Sequence, residues 1–386
     1  MAKLIQTLRE FFSPPRALPP GSHAFHSSPD AEHPYRLHLR IEGDGSGLFI
    51  INAATVLHLN QSATEYAYHY IKQTPREQVG RLISKRYKVN ATQAQQDYDS
   101  FLERLETLIN TPDLDPEMYL EFNRLSPYSK LPSAPYRLDC ALTYRLAEGI
   151  DTQSAPQKRA ERELTTDQWK AVFDLAWKIG IPHLIFTGGE PTLRPDLAEL
   201  ITHAEANGQV TGLLTDGLRL IDRNYFQSLA NAGLDHIMMV LNPDLEKSWQ
   251  ALEVILPDDM FTAVHLTVTP ENKNRMADVI QRLAKMSVNG ISLSASDPSL
   301  FLTIQRLRDM VHTLHLNLIW DLPVPYSTMS PVHLELEQEA EKNGAGCAWL
   351  YVEPDGDILP AQGINQVVGN ILRDPWEIIW QNANPC

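Results

Sequence analysis

The stretch LIFTGGEPTL, residues 184–193, joins a short apolar run to a turn that contains two glycines, an acid and a proline. A near-continuous apolar run of this length predicts a buried strand of a parallel sheet. The glycines leave backbone without side chains at the carboxyl end of that strand, which is where parallel α/β folds bind ligands. The stretch therefore predicts a ligand-type turn formed by Gly188, Gly189, Glu190 and Pro191.

An alternation of apolar strands and amphipathic helices continues on both sides of this turn. The predicted strands are 136–143, 183–187, 210–215, 236–241, 263–269 and 291–295. The predicted helices are 166–179, 196–207, 222–232, 244–256, 274–287 and 298–314. This pattern is typical of a parallel sheet covered by helices, and six repeats favour an α/β fold with a partial (β/α)6 barrel over residues 136–322. Residues 316–322 (LNLIWDL) are a candidate final strand.

Three motifs in this region resemble, in order and spacing, the core of a radical S-adenosylmethionine (SAM) protein. They are FTGGEPTLRPDL (186–197), LLTDG (213–217) and AGLDHIMMVLNP (232–243). The resemblance covers roughly residues 136–320 and implies the partial barrel of that family. It also implies that the turn at Gly188, Gly189 and Glu190 receives the methionine ammonium group of SAM, so a residual SAM site is one hypothesis for this turn.

The family motif that holds the iron–sulfur cluster is altered in this chain. Family members read Leu-Thr-x-x-Cys-x-x-x-Cys-x-x-Cys at the end of the first strand, where this chain reads LTYRLAEGIDTQ over residues 142–153. The three cysteine positions are occupied by Leu146, Ile150 and Gln153. A competing register starts at Cys140 and places Tyr144 and Ala147 at the other two positions. We prefer the first register because it keeps the Leu-Thr pair aligned.

Either register leaves at most one thiolate at this loop. A [4Fe–4S] cluster requires soft thiolate ligands, and no histidine lies between residues 143 and 182 to replace one. The whole chain contains only Cys140, Cys347 and Cys386, which are also too few and too scattered for a disulfide framework. We therefore expect no [4Fe–4S] cluster and no reductive cleavage of SAM.

In the C-terminal residues 323–386, a second cysteine position of the family is also changed. The phrases EPDGDILP (353–360) and GNILRDPWEIIW (369–380) resemble the SPASM-type extension, which carries auxiliary clusters in radical SAM peptide-modifying enzymes. The Pro-Asp-Gly-Asp sequence predicts a hairpin turn on its own merits. In the family a cysteine follows the proline of this hairpin, whereas here the residue is Ala361. The resemblance thus implies a SPASM-like fold without its auxiliary cluster.

The N-terminal part of the chain shows three strand segments followed by three helical segments between residues 35 and 110. This order and the phrase VLHLNQSATEYAYHY (56–70) resemble the PqqD-like peptide-recognition domain. The resemblance implies that a substrate leader peptide adds as a strand to the sheet edge beside a helix. The alternative is a small winged-helix-like docking domain without a peptide ligand. Residues 1–34 are predicted to be an extended arm and the proline-rich residues 111–135 a linker.

Composition restricts the partners of the protein. The chain of 386 residues is 43% hydrophobic and 21% charged, which is typical of a globular protein, and its formal charge is −15. An acidic balance disfavours binding to nucleic acid or to an anionic membrane, and no apolar run reaches the length of a membrane span. The N-terminus is a poor signal peptide, so we expect a cytoplasmic protein.

Three hypotheses for function follow. The first is a non-catalytic binding partner for a peptide, or for an active radical SAM paralogue, in a peptide-modification pathway. The second is an enzyme that binds SAM or another small molecule in the barrel and performs non-radical chemistry. The third is an ordinary radical SAM peptide-modifying enzyme whose ligands are misassigned. Carboxylates near the strand ends are candidates for the second hypothesis, namely Asp139, Glu148, Glu190 and Asp216.

No catalytic residue and no metal ligand can be assigned from spacing alone. The histidines His58, His183, His203, His236 and His265 lie on separate predicted elements. Close packing of the turn against its neighbours explains Gly188 and Gly189 as well as residual SAM binding does. Glu190 would then interact with the following helical turn.

Overall fold

The computed structural model describes residues 17–28, 31, 34–52, 55–87, 89–111, 132–147, 159–160, 162–258, 260–319, 322–326 and 344–383. The chain divides into two compact units. The N-terminal unit comprises residues 1–126 with 178–180, and the C-terminal unit comprises 127–177 with 181–386. No helix within the described residues is long and apolar enough to cross a membrane.

The N-terminal unit contains an antiparallel sheet in the order β1-β2-β3-β4 and three helices. The strands are β1 (Gly21–His26), β2 (Arg36–Ile41), β3 (Gly47–Ile51) and β4 (Thr55–Leu59), and the helices are α1 (Gln61–Ile71), α2 (Arg76–Arg86) and α3 (Ala91–Asn110). The strand β1 lies in the segment predicted as an extended arm. It pairs antiparallel with β2, from Gly21↔Ile41 to His26↔Arg36. In this order β1 forms one edge of the sheet and β4 forms the other.

Alternating apolar residues form the core of this unit. Leu37 and Leu39 of β2 and Phe49 of β3 are buried in one cluster with Leu105 of α3. The helix α1 begins where Asn60 accepts a hydrogen bond from the Ala63 N–H at 2.9 Å, which satisfies one of the unpaired donors of the first turn.

The C-terminal unit contains a ten-stranded sheet in the order β11-β10-β9-β8-β7-β6-β5-β12-β13-β14. Its strands β5 to β11 are Arg137–Thr143, His183–Gly188, Val210–Thr215, His236–Val240, Phe261–Val268, Gly290–Ala295 and Asn317–Leu318. They pair in parallel throughout. Helices α4 to α9 are Thr166–Ile179, Leu197–Asn207, Arg223–Asn231, Glu246–Ile255, Met276–Lys285 and Phe301–Thr313. The predicted α/β fold with a partial barrel is confirmed. The strand β11 is shorter than predicted, and residues 320 and 321 lie outside the described residues.

The C-terminal extension continues the barrel sheet beside β5. The strand β12 (Trp349–Val352) pairs in parallel with β5, and β13 (Asp357–Leu359) turns back antiparallel to β12, as the predicted hairpin requires. The short strand β14 (Gly369–Asn370) and helix α10 (Trp376–Ala383) complete this part. The extension therefore places its first hairpin next to the strand end from which the altered cluster loop begins.

Side chains on one face of the sheet form a buried core. Ile185, Leu214, Met238 and Ala263 form one buried cluster from four neighbouring strands. Ile319, which directly follows β11, and Leu322 pack against this cluster. The opposite face packs on the helices, as shown by the 5.5 Å separation between the Phe173 and Phe186 rings.

Candidate functional site

The glycine turn lies at the carboxyl end of β6, directly beside the end of β5. Gly188 has φ +122°, a conformation that L-residues with side chains rarely adopt. A Cβ atom added to Gly188 would lie closer than 3.0 Å to the Thr143 carbonyl oxygen, and one added to Gly189 would lie equally close to the Arg145 carbonyl oxygen. Both glycines are therefore required by the approach of the neighbouring strand end.

Backbone hydrogen bonds hold the turn in this position. The Gly189 N–H donates to the Thr143 carbonyl at 2.7 Å, and the Glu190 N–H donates to the Arg145 carbonyl at 2.8 Å. The turn is thus paired with the first residues of the loop in which the resemblance places the cluster ligands. This pairing explains the two glycines without any bound ligand.

The Glu190 carboxylate is buried, with 3% exposure, and accepts four hydrogen bonds from the protein. Its Oε1 atom accepts from the Thr192 N–H at 2.9 Å, from the Thr192 hydroxyl at 2.5 Å and from the Thr215 hydroxyl at 2.8 Å. Its Oε2 atom accepts from the Asp216 N–H at 2.8 Å. Pro191 opens the short 3-10 turn Pro191–Leu193, which Glu190 caps. The carboxylate therefore joins the turn to the end of β7.

Glu190 and Asp216 form a pair of neighbouring buried acids. Burial and the proximity of Asp216 raise the pKa of Glu190 to about 8. Burial also raises the pKa of Asp216 above its ordinary value. Two carboxyl groups in one low-dielectric site disfavour double ionisation, so the pair retains a proton near neutral pH. Of the other predicted carboxylates, Asp139 forms an ion pair with Arg137 at 2.7 Å, and Glu148 lies outside the described residues.

Replacing Glu190 by Gln is expected to flatten the pH dependence of the free energy of unfolding of the C-terminal unit. The folded carboxyl keeps its proton to about pH 8, whereas the unfolded one loses it near its ordinary pKa of 4.5. The folded state therefore binds more protons between these values, and its stability falls as the pH rises through that window. Glutamine has no proton to lose there. Urea unfolding at several pH values between about 5 and 8 measures this slope, and an unchanged slope in Glu190→Gln would contradict the assignment.

Of the three predicted cluster positions, the structure describes the one occupied by Leu146. Leu146 packs against a buried cluster that includes Tyr144 and Tyr326. The other two predicted positions, Ile150 and Gln153, lie outside the described residues.

Cys140, which the competing register would use, is fully buried in β5 opposite Phe186. Phe186 packs on the helix layer, so this thiol faces away from the concave side of the sheet. Burial raises its pKa well above the ordinary value, which keeps the thiol protonated. The choice between the two registers stays a prediction.

A buried polar network occupies the space beside this loop. Arg159 forms an ion pair with Glu353 at 2.9 Å, and Glu353 accepts a hydrogen bond from the Tyr144 hydroxyl at 2.8 Å. Arg159 also donates to the Tyr326 hydroxyl at 2.6 Å. Glu353 is 2% exposed, and burial raises its pKa above the ordinary value. The network joins Tyr144 in the altered loop, and Arg159 further along the chain, to the hairpin of the C-terminal extension.

The segment 322–326 reaches the glycine turn itself. The Tyr326 N–H donates to the Gly188 carbonyl at 2.8 Å, and the Thr187 hydroxyl donates to the Pro323 carbonyl at 2.7 Å. Sequence patterns did not point to Tyr326, Arg159 or Glu353. Tyr144 and Glu353 lie 209 residues apart, and no local motif signals such a contact.

The predicted auxiliary position lies in a turn. The Ala361 carbonyl accepts a hydrogen bond from the Ile364 N–H at 3.2 Å, and its side chain offers no ligand atom. Cys347 is buried. Among the described residues there is no group of three or more side chains able to hold a metal ion. His183 and His236 do converge, with their Nε2 atoms 3.3 Å apart.

Residues 140–242 match the family described as Radical SAM superfamily. This segment begins within β5, extends past β8 and includes the glycine turn and the altered loop. Over these residues the barrel is similar to radical SAM proteins. The predicted family resemblance is confirmed, whereas the loss of the cluster ligands stays an interpretation of the residues.

Curated relatives are similar to part of this chain. PqqA peptide cyclase of Bradyrhizobium diazoefficiens is 26% identical over 264 residues, which are 58% of this chain and 67% of that protein. PqqA peptide cyclase of Gluconobacter oxydans is 39% identical over 111 residues, which are 28% of this chain and 31% of that protein. The chain thus spans about two thirds of the first relative and about a third of the second.

Solved structures share the fold over a larger part of the chain. Streptococcus suis SuiB bound to S-adenosylmethionine has a TM-score of 0.55 at 13% identity, covering 92% of this chain and 88% of that one. SuiB bound to precursor peptide SuiA has a TM-score of 0.54 at 14% identity, covering 89% and 86%. At this level of identity the likeness concerns the fold alone.

The predicted cluster position that the structure describes does not fit an iron–sulfur cluster. Leu146 occupies that predicted position and has no ligand atom for iron. The Gly188 carbonyl and the Glu190 carboxylate already accept hydrogen bonds from the protein. No step of a mechanism is therefore derived through a cluster or through SAM.

Proposed function

We propose that this protein is a peptide- or protein-binding partner in a peptide-modification pathway and that it performs no radical chemistry. One observation carries the proposal: protein groups engage the polar atoms of the glycine turn where the resemblance places SAM. Tyr326 donates to the Gly188 carbonyl, and four donors surround the Glu190 carboxylate. The altered cysteine positions Leu146, Ile150 and Gln153 support the same proposal.

Two relatives support the peptide-related part of the proposal. One is named a PqqA peptide cyclase, and SuiB has been solved with its precursor peptide SuiA. In this chain we assign peptide recognition to the PqqD-like N-terminal unit. Its edge strand β4 carries Val56, which is 37% exposed. An edge strand offers backbone groups to an extended peptide, and its neighbouring side chains select the sequence.

Reconstitution with iron and sulfide under anaerobic conditions is expected to yield no cluster. Without three thiolates in the loop, the purified protein should retain no stoichiometric iron and show no visible absorption from thiolate-to-iron charge transfer. Iron and sulfide analysis together with the absorption spectrum measures this.

The triple variant Leu146→Cys, Ile150→Cys and Gln153→Cys is the matched control for this experiment, and it is expected to gain iron if the register is correct. A stoichiometric cluster in the unaltered chain would overturn the proposal and support the ordinary radical SAM enzyme.

Calorimetric titration with SAM is expected to show no saturable binding. The turn atoms that the ammonium group would need are paired within the protein, and breaking those pairs would cost binding energy. Saturable heat that disappears in Glu190→Gln would instead favour the small-molecule enzyme with non-radical chemistry in the barrel.

Peptides selected from a displayed random library against the full chain are expected to bind at the β4 edge. Val56→Asp should weaken their affinity at least about tenfold, because a peptide strand packed there would bury the new carboxylate. Fluorescence anisotropy with a labelled selected peptide measures the affinity. Gln96→Asp adds the same charge on the exposed face of α3 and serves as the control. Selection of no peptide, or equal affinity in Val56→Asp, would contradict peptide recognition by this edge.

A further inference from the structure

The neighbouring strands β9 and β10 carry a cluster of hydroxyl groups around one histidine. His265 of β9 is paired in register with Ser292 of β10, and Thr267 is paired with Ser294. Because side chains alternate along a strand, residues two apart project from the same face. The imidazole of His265 therefore lies between the two serine hydroxyls of the neighbouring strand.

Hydrogen bonds fix both nitrogens of this imidazole. The Nδ1 atom is 3.0 Å from the Ser292 hydroxyl oxygen, and the Nε2 atom is 3.0 Å from the Ser294 hydroxyl oxygen. Thr267 lies alongside, with its hydroxyl 3.4 Å from Nε2 and 3.3 Å from the Ser294 hydroxyl. His265 is 2% exposed, whereas Ser294 is only partly buried. The less buried of the two serines is thus the one on the Nε2 side.

This arrangement has the three parts of an activated nucleophile. A hydroxyl lies within hydrogen-bond reach of a base, and a third group orients the base through its other nitrogen. In the tautomer with its proton on Nδ1, His265 donates to Ser292 and its Nε2 lone pair accepts the Ser294 proton. Burial lowers the pKa of His265 to about 4, so the imidazole is neutral near pH 7 and its Nε2 lone pair is available to the Ser294 hydroxyl. A purely structural role, in which these hydrogen bonds only pair the polar atoms of a buried histidine, requires the same contacts but predicts an unreactive serine.

We propose that Ser294 and His265 form an acyl-transfer site for an ester or thioester, with Ser292 as the positioning residue. Ser294 is the penultimate residue of β10 and so lies near the carboxyl end of the sheet, where parallel α/β folds bind ligands. It uses β9 and β10, whereas the glycine turn and the altered loop belong to β5 and β6. The inference therefore stands independently of peptide recognition by the N-terminal unit.

The reaction conserves atoms and electrons with water as the only co-reactant. Ser294 Oγ forms a bond to the acyl carbon as its proton moves to His265 Nε2. The bond from that carbon to the leaving oxygen or sulfur breaks, and the leaving group takes the proton from the imidazolium. Water then attacks the acyl-serine along the same proton path, which releases a carboxylic acid and restores the serine.

Labelling of the full chain with a fluorophosphonate tests the site. Ser294 Oγ forms a bond to phosphorus, the phosphorus–fluorine bond breaks, fluoride leaves and His265 accepts the proton. Intact mass and peptide mapping should show one label, located on Ser294. His265→Gln should slow labelling by about a hundredfold, the lower range for loss of a general base. Circular dichroism and the thermal midpoint of each variant show whether the fold is retained.

Matched variants decide between reactivity and structure. Ser294→Ala should abolish the label, whereas Ser228→Ala, on the exposed face of α6, should keep the full labelling rate. Ser292→Ala should slow labelling and Ser292→Thr should restore it, because threonine keeps the hydroxyl that orients the imidazole. Absence of label from the folded wild-type chain, label that persists in Ser294→Ala, or an unchanged rate in folded His265→Gln would each overturn the proposal.

Discussion

Gly188→Ala is expected to destabilise the C-terminal unit by about 4 kcal/mol, with no ligand present. The residue has φ +122°, and a new Cβ would overlap the Thr143 carbonyl oxygen. Both the strained backbone and the displaced strand end contribute to this loss. Gly189→Ala is expected to have a similar effect through the Arg145 carbonyl oxygen, with loss of the 2.8 Å hydrogen bond from the Glu190 N–H.

Tryptophan fluorescence during urea unfolding measures this effect selectively. All seven tryptophans lie in the C-terminal unit, so their signal follows that unit. Gly356→Ala is the matched control, because Gly356 also has positive φ, +90°, but its new Cβ would meet Asn370 only at 3.2 Å. It should cost about 1 kcal/mol. If Gly188→Ala were no worse than this control, the close approach of β5 would not be what requires the glycine.

Arg159→Met is expected to destabilise the same unit by about 3 kcal/mol at neutral pH. The substitution leaves the Glu353 carboxylate, 2% exposed, with the Tyr144 hydroxyl but without its cation. An uncompensated buried charge costs several times more than a lost surface ion pair. Tryptophan fluorescence during urea unfolding again gives the free energy.

Two variants and the pH test this interpretation. Adding Glu353→Gln to Arg159→Met should recover most of the loss, because the buried charge is then removed. The pKa of Glu353 is already raised by burial and rises further without Arg159, so the folded state of Arg159→Met gains stability as the pH falls and the carboxylate is protonated. Arg373→Met removes the exposed partner of Asp357 and should cause no resolved change. Equal losses in Arg159→Met and in the double variant would contradict this account.

The repeating pattern of the chain was sufficient to predict the fold. Near-continuous apolar runs marked the parallel strands, and the predicted turn at residues 354–357 connects β12 to β13. These are local signals, because they depend on residues within about ten positions of one another. The strand β1 was predicted only as extended chain, since its pairing with β2 depends on a partner strand ten residues further on.

The candidate sites were predictable only in part, for the same reason. The glycine turn is a continuous motif and was found from the sequence. The Arg159–Glu353 ion pair and the His265–Ser294 hydrogen bond join residues that are far apart in the chain. Strand order and register decide which residues meet. The sequence around either residue does not indicate its partner.

By itself, the sequence determined the parallel α/β fold and the absence of thiolates at Leu146, Ile150 and Gln153. Periodicity and residue chemistry are properties of the chain before it folds, so both could be read directly. Only the tertiary structure decided what surrounds the Gly188–Glu190 turn. Tyr326, Thr215 and the end of β5 reach it because parallel strands bring distant segments to one edge of the sheet.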